Sequence, residues 1–416
     1  MAPNKLPKDW KIVISSDIMD IRDGTHNTPK YVNENGIPLI TSKNLKGNAI
    51  DFNKVSFISN DDHLEISKRS KVESGDILFA MIGTIGNPAI IKGDANFSIK
   101  NVGLFKKNVS IILPQFFVNF LRSSFFEKQL NERKLLKGTT QRFIPLGNLR
   151  KIEIPLPPLE TQQAIVSKIE ELFSELDQGI VDLKTAQQQL KTYRQSVLKW
   201  AFEGKLTNEN VNDGELPKGW EMVTIENVAN KITDGEHFRP PTQSDGIVFL
   251  SAKDVRDNGV SFDEPLYISE ETANKALQRC NPQIGDILIV SRGATVGRMC
   301  IVNTNRTFCL LGSVILIKVN NKINNLFLNY ILKSPIANQK MITVSGATAQ
   351  QAIYLRDIKK IEIPLPPIKE QYVIVQEIES RLSVADKMEE NITQSLQQAE
   401  ALIQSILKKA FSGQLL

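Results

Sequence analysis

The chain has 416 residues, of which 41% are of apolar type and 23% are charged. That is enough for two to four folded domains and too apolar for wholesale disorder. No run reaches the roughly 18 apolar residues of a membrane span, and residues 1–11 show no apolar signal core. The three cysteines (Cys280, Cys300, Cys309) form no C-x-x-C pair, so a reduced, cytoplasmic chain without a disulfide framework is expected. The net charge of +5 is too small to announce a polyanionic partner, but its distribution is uneven. Residues 1–150 carry +8, residues 151–206 carry −1, residues 207–359 are neutral and residues 360–416 carry −2. The first stretch is suited to steering a polyanion, whereas the third needs a local basic patch.

In chain order, the first body has strand-like runs at Ile37–Ile40 and Asp76–Met81, a glycine-rich turn at Gly83–Gly86 and a helical stretch over Phe116–Leu130. A Pro-rich run ending at Pro158 forces an extended approach, after which a long helix is expected to run to about Gly204. That is about 40 residues, or roughly 60 Å. Its apolar residues recur every seventh position at Ile169, Leu176, Leu183, Leu190 and Val197. A flanking row of Val166, Phe173 and Ile180 turns polar at Gln187 and Arg194. A sustained period of seven reads as a coiled-coil seam. Gly179 is expected to weaken or kink this helix. The second body has strand-like runs at Ile247–Leu250, Asp286–Val290 and Val314–Val319, a turn at Gly293–Gly297 and a helical stretch over Asn325–Ile336. A second long helix then carries Ile378, Ala385, Ile392, Ala399 and Ile406, flanked by Val375, Leu382, Glu389, Leu396 and Ile403.

The chain is written twice. KIEIPLPP occurs at Lys151–Pro158 and again at Lys360–Pro367, and the match runs without a gap from 150–206 to 359–415, with 25 identities in 57 positions. Shorter matches precede it: Leu6-Pro7-x-x-Trp10 with Leu216-Pro217-x-x-Trp220, and Asp23-Gly-x-His26 with Asp234-Gly-x-His237. Gly75-Asp-Ile-Leu78 likewise matches Gly285-Asp-Ile-Leu288. The two flanking rows are complementary: large apolar residues of the second helix stand where the first has Gln187 and Arg194, and Glu389 stands where the first has Ile180. The expected fold is α+β: two similar mixed α/β bodies joined by two long helices that form an antiparallel coiled coil with pseudo-two-fold symmetry. The divisions are 1–150 (first body), 151–206 (hinge and helix), 207–359 (second body) and 360–416 (hinge and helix). The competing arrangement has each helix packing back on its own body.

Catalytic signatures are missing. The glycine-rich turns have neither the GxxxxGK[ST] nor the GxGxxG spacing, and they read as strand-to-strand turns. There is no HExxH, no zinc-deaminase set and no amino-methyltransferase Asn/Asp-Pro-Pro-aromatic motif. His26 and His237 occupy equivalent places and share a role, either a turn hydrogen bond or a phosphate contact.

The duplicated body, each copy followed by Leu-Pro-Pro-x-x-x-Gln (Leu156–Gln162, with Leu365–Gln371 in the second copy) and a helix ending Leu-Lys-x-Ala-Phe-x-Gly (Leu198–Gly204, Leu407–Gly413), resembles the specificity (S) subunit of type I restriction–modification systems. The resemblance spans essentially the whole chain. It implies that each body is a target recognition domain reading one half of a split double-stranded DNA site, and that the helices act as a ruler for the spacer. It further implies that the helices dock two methyltransferase (M) subunits, with restriction (R) subunits as further partners, and that this chain is not an enzyme and involves no membrane. S-adenosylmethionine, ATP and Mg2+ are then expected on partner subunits and no cofactor or metal on this chain. Sequence is read by side chains that reach base edges, while phosphate contacts set register. The candidates on that basis are Arg22, His26, Lys43, Asn44, Gln141 and Arg142 in the first body. In the second they are His237, Arg239, Lys253, Asp254, Arg292, Arg298, Gln350 and Gln351. Asp254 is suited either to accept from cytosine N4 or to cap a helix. The candidate helix-pair interface is Ile169, Leu176, Leu183, Leu190 and Val197 with Ile378, Ile392, Leu396, Ile403 and Ile406. A coiled-coil protein-binding adaptor without DNA recognition is the alternative, and a methyltransferase acting alone is disfavoured by the missing motif.

Overall fold

The computed structural model describes residues 6–33, 35–208, 210–212, 214–344 and 352–416. Packing divides the chain into two compact units, Met1–Leu183 with Thr393–Leu416, and Lys184–Ile392. Two 44-residue helices, Leu159–Phe202 and Ile368–Phe411, each contribute one part to each unit. Both start directly after the Pro-Pro pair and stop two residues before a glycine. The first helix runs unbroken through Gly179.

In the first unit an antiparallel sheet has the order Ile21–Asp23, Val102–Phe105, Ile77–Ala80, Gly86–Ile90. A second sheet orders Ser98–Lys100, Ile37–Thr41, Ser56–Ile58 and Tyr31–Val32, with its first pair parallel. The repeated EIPL run, Glu153–Leu156, pairs antiparallel with Lys11–Ile14. The expected helix over 116–130 is two helices, Pro114–Leu121 and Ser124–Glu132, because the Ser123 hydroxyl caps a new start at Phe126 N–H. Their phenylalanines fill the core with Phe79 and Phe105. Ile165, Val166, Ile169 and Phe173 of the first long helix close that core from one side, and Ile403, Ile406, Leu407 and Phe411 of the second join them. Phe411 sits edge-on to Phe116 and Phe120, with ring centroids at 5.2 and 5.5 Å, a favoured aromatic geometry.

The second unit repeats this plan. Its antiparallel sheet has the order Ala229–Asp234, Val314–Val319, Ile287–Val290, Met299–Ile301, beside a three-stranded sheet of Leu266–Ile268, Ile247–Leu250 and Phe308–Leu310. Glu221–Thr224 pairs with the second EIPL run, Glu362–Leu365. The helical stretch after 325 also splits, into Asn325–Lys333 and Pro335–Val344, since Pro335 opens a new helix. Val197, Leu198, Ala201 and Phe202 share this core with Ile374, Val375 and Ile378.

The direction of the helices is fixed inside the second unit. Arg194 meets Asp386 and Glu389, whereas Thr207 and Asn208, just beyond the same helix, meet Glu370. The second helix therefore runs down as the first runs up. The antiparallel pairing and the packing of helices on bodies occur together. Of the seam residues, Ile169, Val197, Ile378, Ile403 and Ile406 are buried. Leu176, Leu183, Leu190, Ile392 and Leu396 are half-buried.

The repeated signatures are joints. Gln162 is fully buried: its Oε1 accepts from Leu113 N–H (2.9 Å), and its Nε2 donates to the carbonyls of Ile111 (3.0 Å) and Pro157 (2.9 Å). Gln371 does the same with Asn324 N–H (2.7 Å) and the carbonyls of Lys322 and Pro366 (both 2.9 Å). A buried amide so placed satisfies backbone groups at the helix entry that otherwise lack partners. Asp76 and Asp286 of the Gly-Asp-Ile-Leu runs accept from backbone N–H groups of Glu73 and Gln283, and each also pairs with a lysine (Lys106, Lys318).

Candidate nucleic-acid interface

Strand register gathers the loops of each body at one sheet end. In the first unit Asp23 pairs with Gly103, Val102 with Ala80, and Ala80 with Gly86. The loop after Asp23, the turn before Val102 and the turn 81–85 therefore emerge together. Thr41 pairs in parallel with Lys100, so the turn Ser42–Asn44 leaves from the same end. A bridge from Ile82 to Phe143 adds the segment carrying Gln141 and Arg142, both exposed. In the second unit Asp234 pairs with Ile315, Val290 with Val314 and Leu250 with Leu310. Arg292 bridges to Ala352. The loops 235–246 and 291–298 and the turn Ala252–Asp254 therefore converge in the same way. Both glycine-rich segments are strand-to-strand turns.

At this end each body builds one constellation. His26 makes hydrogen bonds through both ring nitrogens, to Asp23 Oδ2 and Asn101 Oδ1, each 2.9 Å. Asp23 is buried and also accepts from Arg69 Nη2, reaching in from the end of the helix Asn60–Ser70. The second body repeats it: Asp234 is buried and pairs with Arg279 Nη2, from the end of the helix Glu270–Arg279. His237 Nε2 lies 2.6 Å from that same Nη2. A buried carboxylate thus anchors an arginine in each body, and the histidine is held by the carboxylate in the first body but by the arginine in the second, where His237 Nε2 is 3.6 Å from Asp234 Oδ1. Side-chain exposure is 59% and 56% for His26 and Arg69, and 47% and 43% for His237 and Arg279. Hydrogen bonding to a buried anchor removes rotamer freedom before any ligand arrives, and the guanidinium of each arginine keeps further N–H donors for the outside.

The other candidates divide by what their side chains do. Asn44 is buried, and its Oδ1 accepts from Thr41 N–H (3.0 Å) and Oγ1 (2.9 Å). Asp254 is buried, with Oδ2 accepting from Ser251 N–H (2.8 Å) and Oγ (3.2 Å). Both complete the capping boxes of equivalent 3-10 turns whose N-caps are Thr41 and Ser251, so Asn44 Oδ1 and Asp254 Oδ2 are engaged inside the fold. Lys43 and Lys253, one residue earlier, are exposed. Ser42 Oγ donates to the carbonyl of Asn101, tying the Lys43 turn to the His26 cluster. Arg22 pairs with Asp20 at 2.6 Å and also donates to the Arg69 carbonyl. Arg239 and Arg292 are exposed, the latter over the Tyr354 ring at 6.0 Å, and Arg298 is half-buried. Gln350 and Gln351 lie outside the described residues. Sequence reasoning missed Asp23, Arg69 and Asn101, with Asp234 and Arg279. The available signal was the spacing: each arginine stands ten residues after its helix-capping serine, Ser59 or Ser269, in both copies.

Nucleophilic chemistry finds no support at the thiols. Burial pushes Cys280 up to about 12 and Cys300 and Cys309 up to about 11, so they stay protonated. Among the described residues no cluster of His, Cys, Asp and Glu is arranged to hold a metal, and no helix is long and apolar enough to cross a membrane.

The family model for the type I restriction modification DNA specificity domain matches residues 7–184 and again 217–398. The type I restriction enzyme EcoKI specificity subunit of Escherichia coli K12 is 26% identical over 431 residues, covering 100% of this chain and 91% of that one. A chain solved in work on complex assembly and conformational transition of the type I R-M system is 24% identical. It superposes with a TM-score of 0.75 over 99% of this chain and 100% of that one. The HsdS subunit of Thermoanaerobacter tengcongensis, also 24% identical, gives 0.57 over 99% of both chains. These two structural likenesses speak to the fold. The two matched stretches of the family model take up most of the sequence, and the chain belongs to the type I restriction–modification DNA specificity family.

Proposed function

We propose that the chain is the DNA-reading subunit of a type I restriction–modification complex and catalyses nothing itself. Each body reads one half of a bipartite duplex site through its loop-bearing sheet end. The two long helices set the unread spacer and carry two M subunits, and R subunits join for cleavage. S-adenosylmethionine, ATP and Mg2+ belong to those partners. The observation that carries the reading is the Asp–His–Arg constellation at the same sheet end of both bodies. It is displayed beside exposed Lys43 and Arg142 in one body and Lys253, Arg239 and Arg292 in the other. The neutral total of the second body is no obstacle, since Asp234 and Asp254 at that end are buried and engaged internally.

The test is binding of the chain, assembled with its M subunits, to duplexes carrying the methylated motif. Affinity for one split motif should fall steeply with salt, with a slope of about −0.9 per neutralised phosphate. Sequence-blind or salt-independent binding contradicts the reading. Binding that survives loss of the duplex but needs a protein ligand points to the adaptor.

A further inference from the structure

The long helices are repeats of one another, and two of the positions at which they differ meet. In the second unit Arg194 Nη2 pairs with Glu389 Oε2 at 2.9 Å, and its Nη1 pairs with Asp386 Oδ1 at 2.5 Å. The repeat offset of 209 maps Arg194 onto Ile403 and Glu389 onto Ile180. Those two isoleucines both pack into the core of the first unit, Ile403 buried and Ile180 half-buried. Equivalent positions therefore form an ionic contact in one unit and face the same apolar core in the other. The ionic contact is partly withdrawn from water, with the Arg194 side chain 23% and that of Glu389 41% exposed. A charge without its partner in such a place is penalised more than one on an open surface.

We propose that this exchange is a pairing code, by which each long helix selects the other and rejects a second copy of itself. Two second helices paired in the same antiparallel register set Glu389 against Ile403 twice, with no guanidinium in reach. Two first helices set Arg194 against Ile180 twice. Asp177, the counterpart of Asp386, then remains as the nearest carboxylate, so this self-pair is the milder mismatch. Only the unlike pair matches charge with charge and isoleucine with isoleucine. Rejecting the wrong partner by a charge facing an apolar residue is a common route to specificity where total affinity is similar. The consequence is that the two helices of one chain pair with each other rather than with the like helix of a second chain. This holds whether or not the bodies read DNA.

The experiment starts from the intact folded chain carrying a protease site within 210–215. After cutting, the nicked protein is unfolded in urea and refolded by dilution, and native mass spectrometry counts unlike and like fragment pairs. The wild type should return unlike pairs at least tenfold over like pairs. The Arg194→Ile/Glu389→Ile protein should lower that ratio at least tenfold, towards the one-to-two-to-one statistical mixture. A statistical mixture from the wild type, or a ratio that changes less than twofold in the double variant, overturns the proposal. The uncut chain supplies a second readout independent of fragment refolding. Each single variant should lower Tm, and the double variant should recover most of the loss, because an apolar pair replaces the ionic one. If the two losses simply add, the pair holds the helices up rather than choosing partners, and the proposal falls.

Discussion

Pro7 lies against Gly413, so closely that a Cβ on the glycine would stand 2.4 Å from Pro7 Cγ. Gly204 stands in the same relation to Pro217, at 2.3 Å. Both glycines have positive φ, 73° and 75°, as expected where a helix ends in a left-handed residue. The Leu-Pro-x-x-Trp start of each repeat and the terminal glycine of a long helix are therefore two halves of one joint. Gly413→Val is expected to destabilise the first unit, and Gly204→Val the second, by about 1–3 kcal/mol each from backbone strain alone. Gly179→Ala should instead stabilise by about 0.5–1 kcal/mol, since open space surrounds that helical glycine. Urea denaturation of the three variants checks all of this.

Replacing Gln162 or Gln371 with leucine strips partners from one backbone N–H and two carbonyls at each helix entry. Each variant should lose about 1–3 kcal/mol of stability, the usual cost of a buried polar group left unmade. Denaturation midpoints provide the measurement, and a loss below about 0.5 kcal/mol, within the range of an ordinary surface change, contradicts the joint.

Capping residues and DNA-facing residues should separate cleanly. Asn44→Ala and Asp254→Ala are expected to cost about 0.5–2 kcal/mol of stability and to leave the salt slope of DNA binding unchanged. Lys43→Ala, Arg142→Ala and Lys253→Ala should leave Tm nearly unchanged and flatten the slope by about 0.9 for each phosphate no longer neutralised. Paired thermal melts and salt titrations of the complex distinguish the two groups.

The thiols give a pH dependence whose sign follows from burial. Folding raises the Cys280 pKa from 9.0 to about 12, so the folded state prefers the protonated thiol. That contribution to stability is complete below about pH 9 and is lost as pH climbs towards 12. Native protein at pH 8 should resist iodoacetamide at all three cysteines and react fully once denatured. Labelling of native Cys280 at the rate of a free thiol contradicts its burial.

Much of the architecture was legible because repetition and periodicity act over many residues. The seven-residue period, the Pro-Pro start and the glycine stop located both long helices, and the runs at Ile247–Leu250 and Val314–Val319 are strands as read. Serine capping at Ser123 and the proline at 335 split two helices that an apolar pattern alone would join. At the candidate interface, residue type was a poor guide. Asn44 and Asp254 are suited to reading bases, yet each follows a serine or threonine by three residues and closes a cap. Arg69 and Arg279 were hidden because each lies more than forty residues from its aspartate, a pairing that the sheet and its flanking helix create.

The division of labour between the bodies is tested most directly by methylome sequencing. Hosts should carry the wild-type chain, a His26→Ala/Arg69→Ala chain or a His237→Ala/Arg279→Ala chain, each with its M subunits. The wild type should methylate a single motif of two specified halves around an unspecified spacer. The first variant should relax or lose one half and the second variant the other, with the spacer unchanged. A motif without a gap, or two variants that affect the same half, contradicts the account.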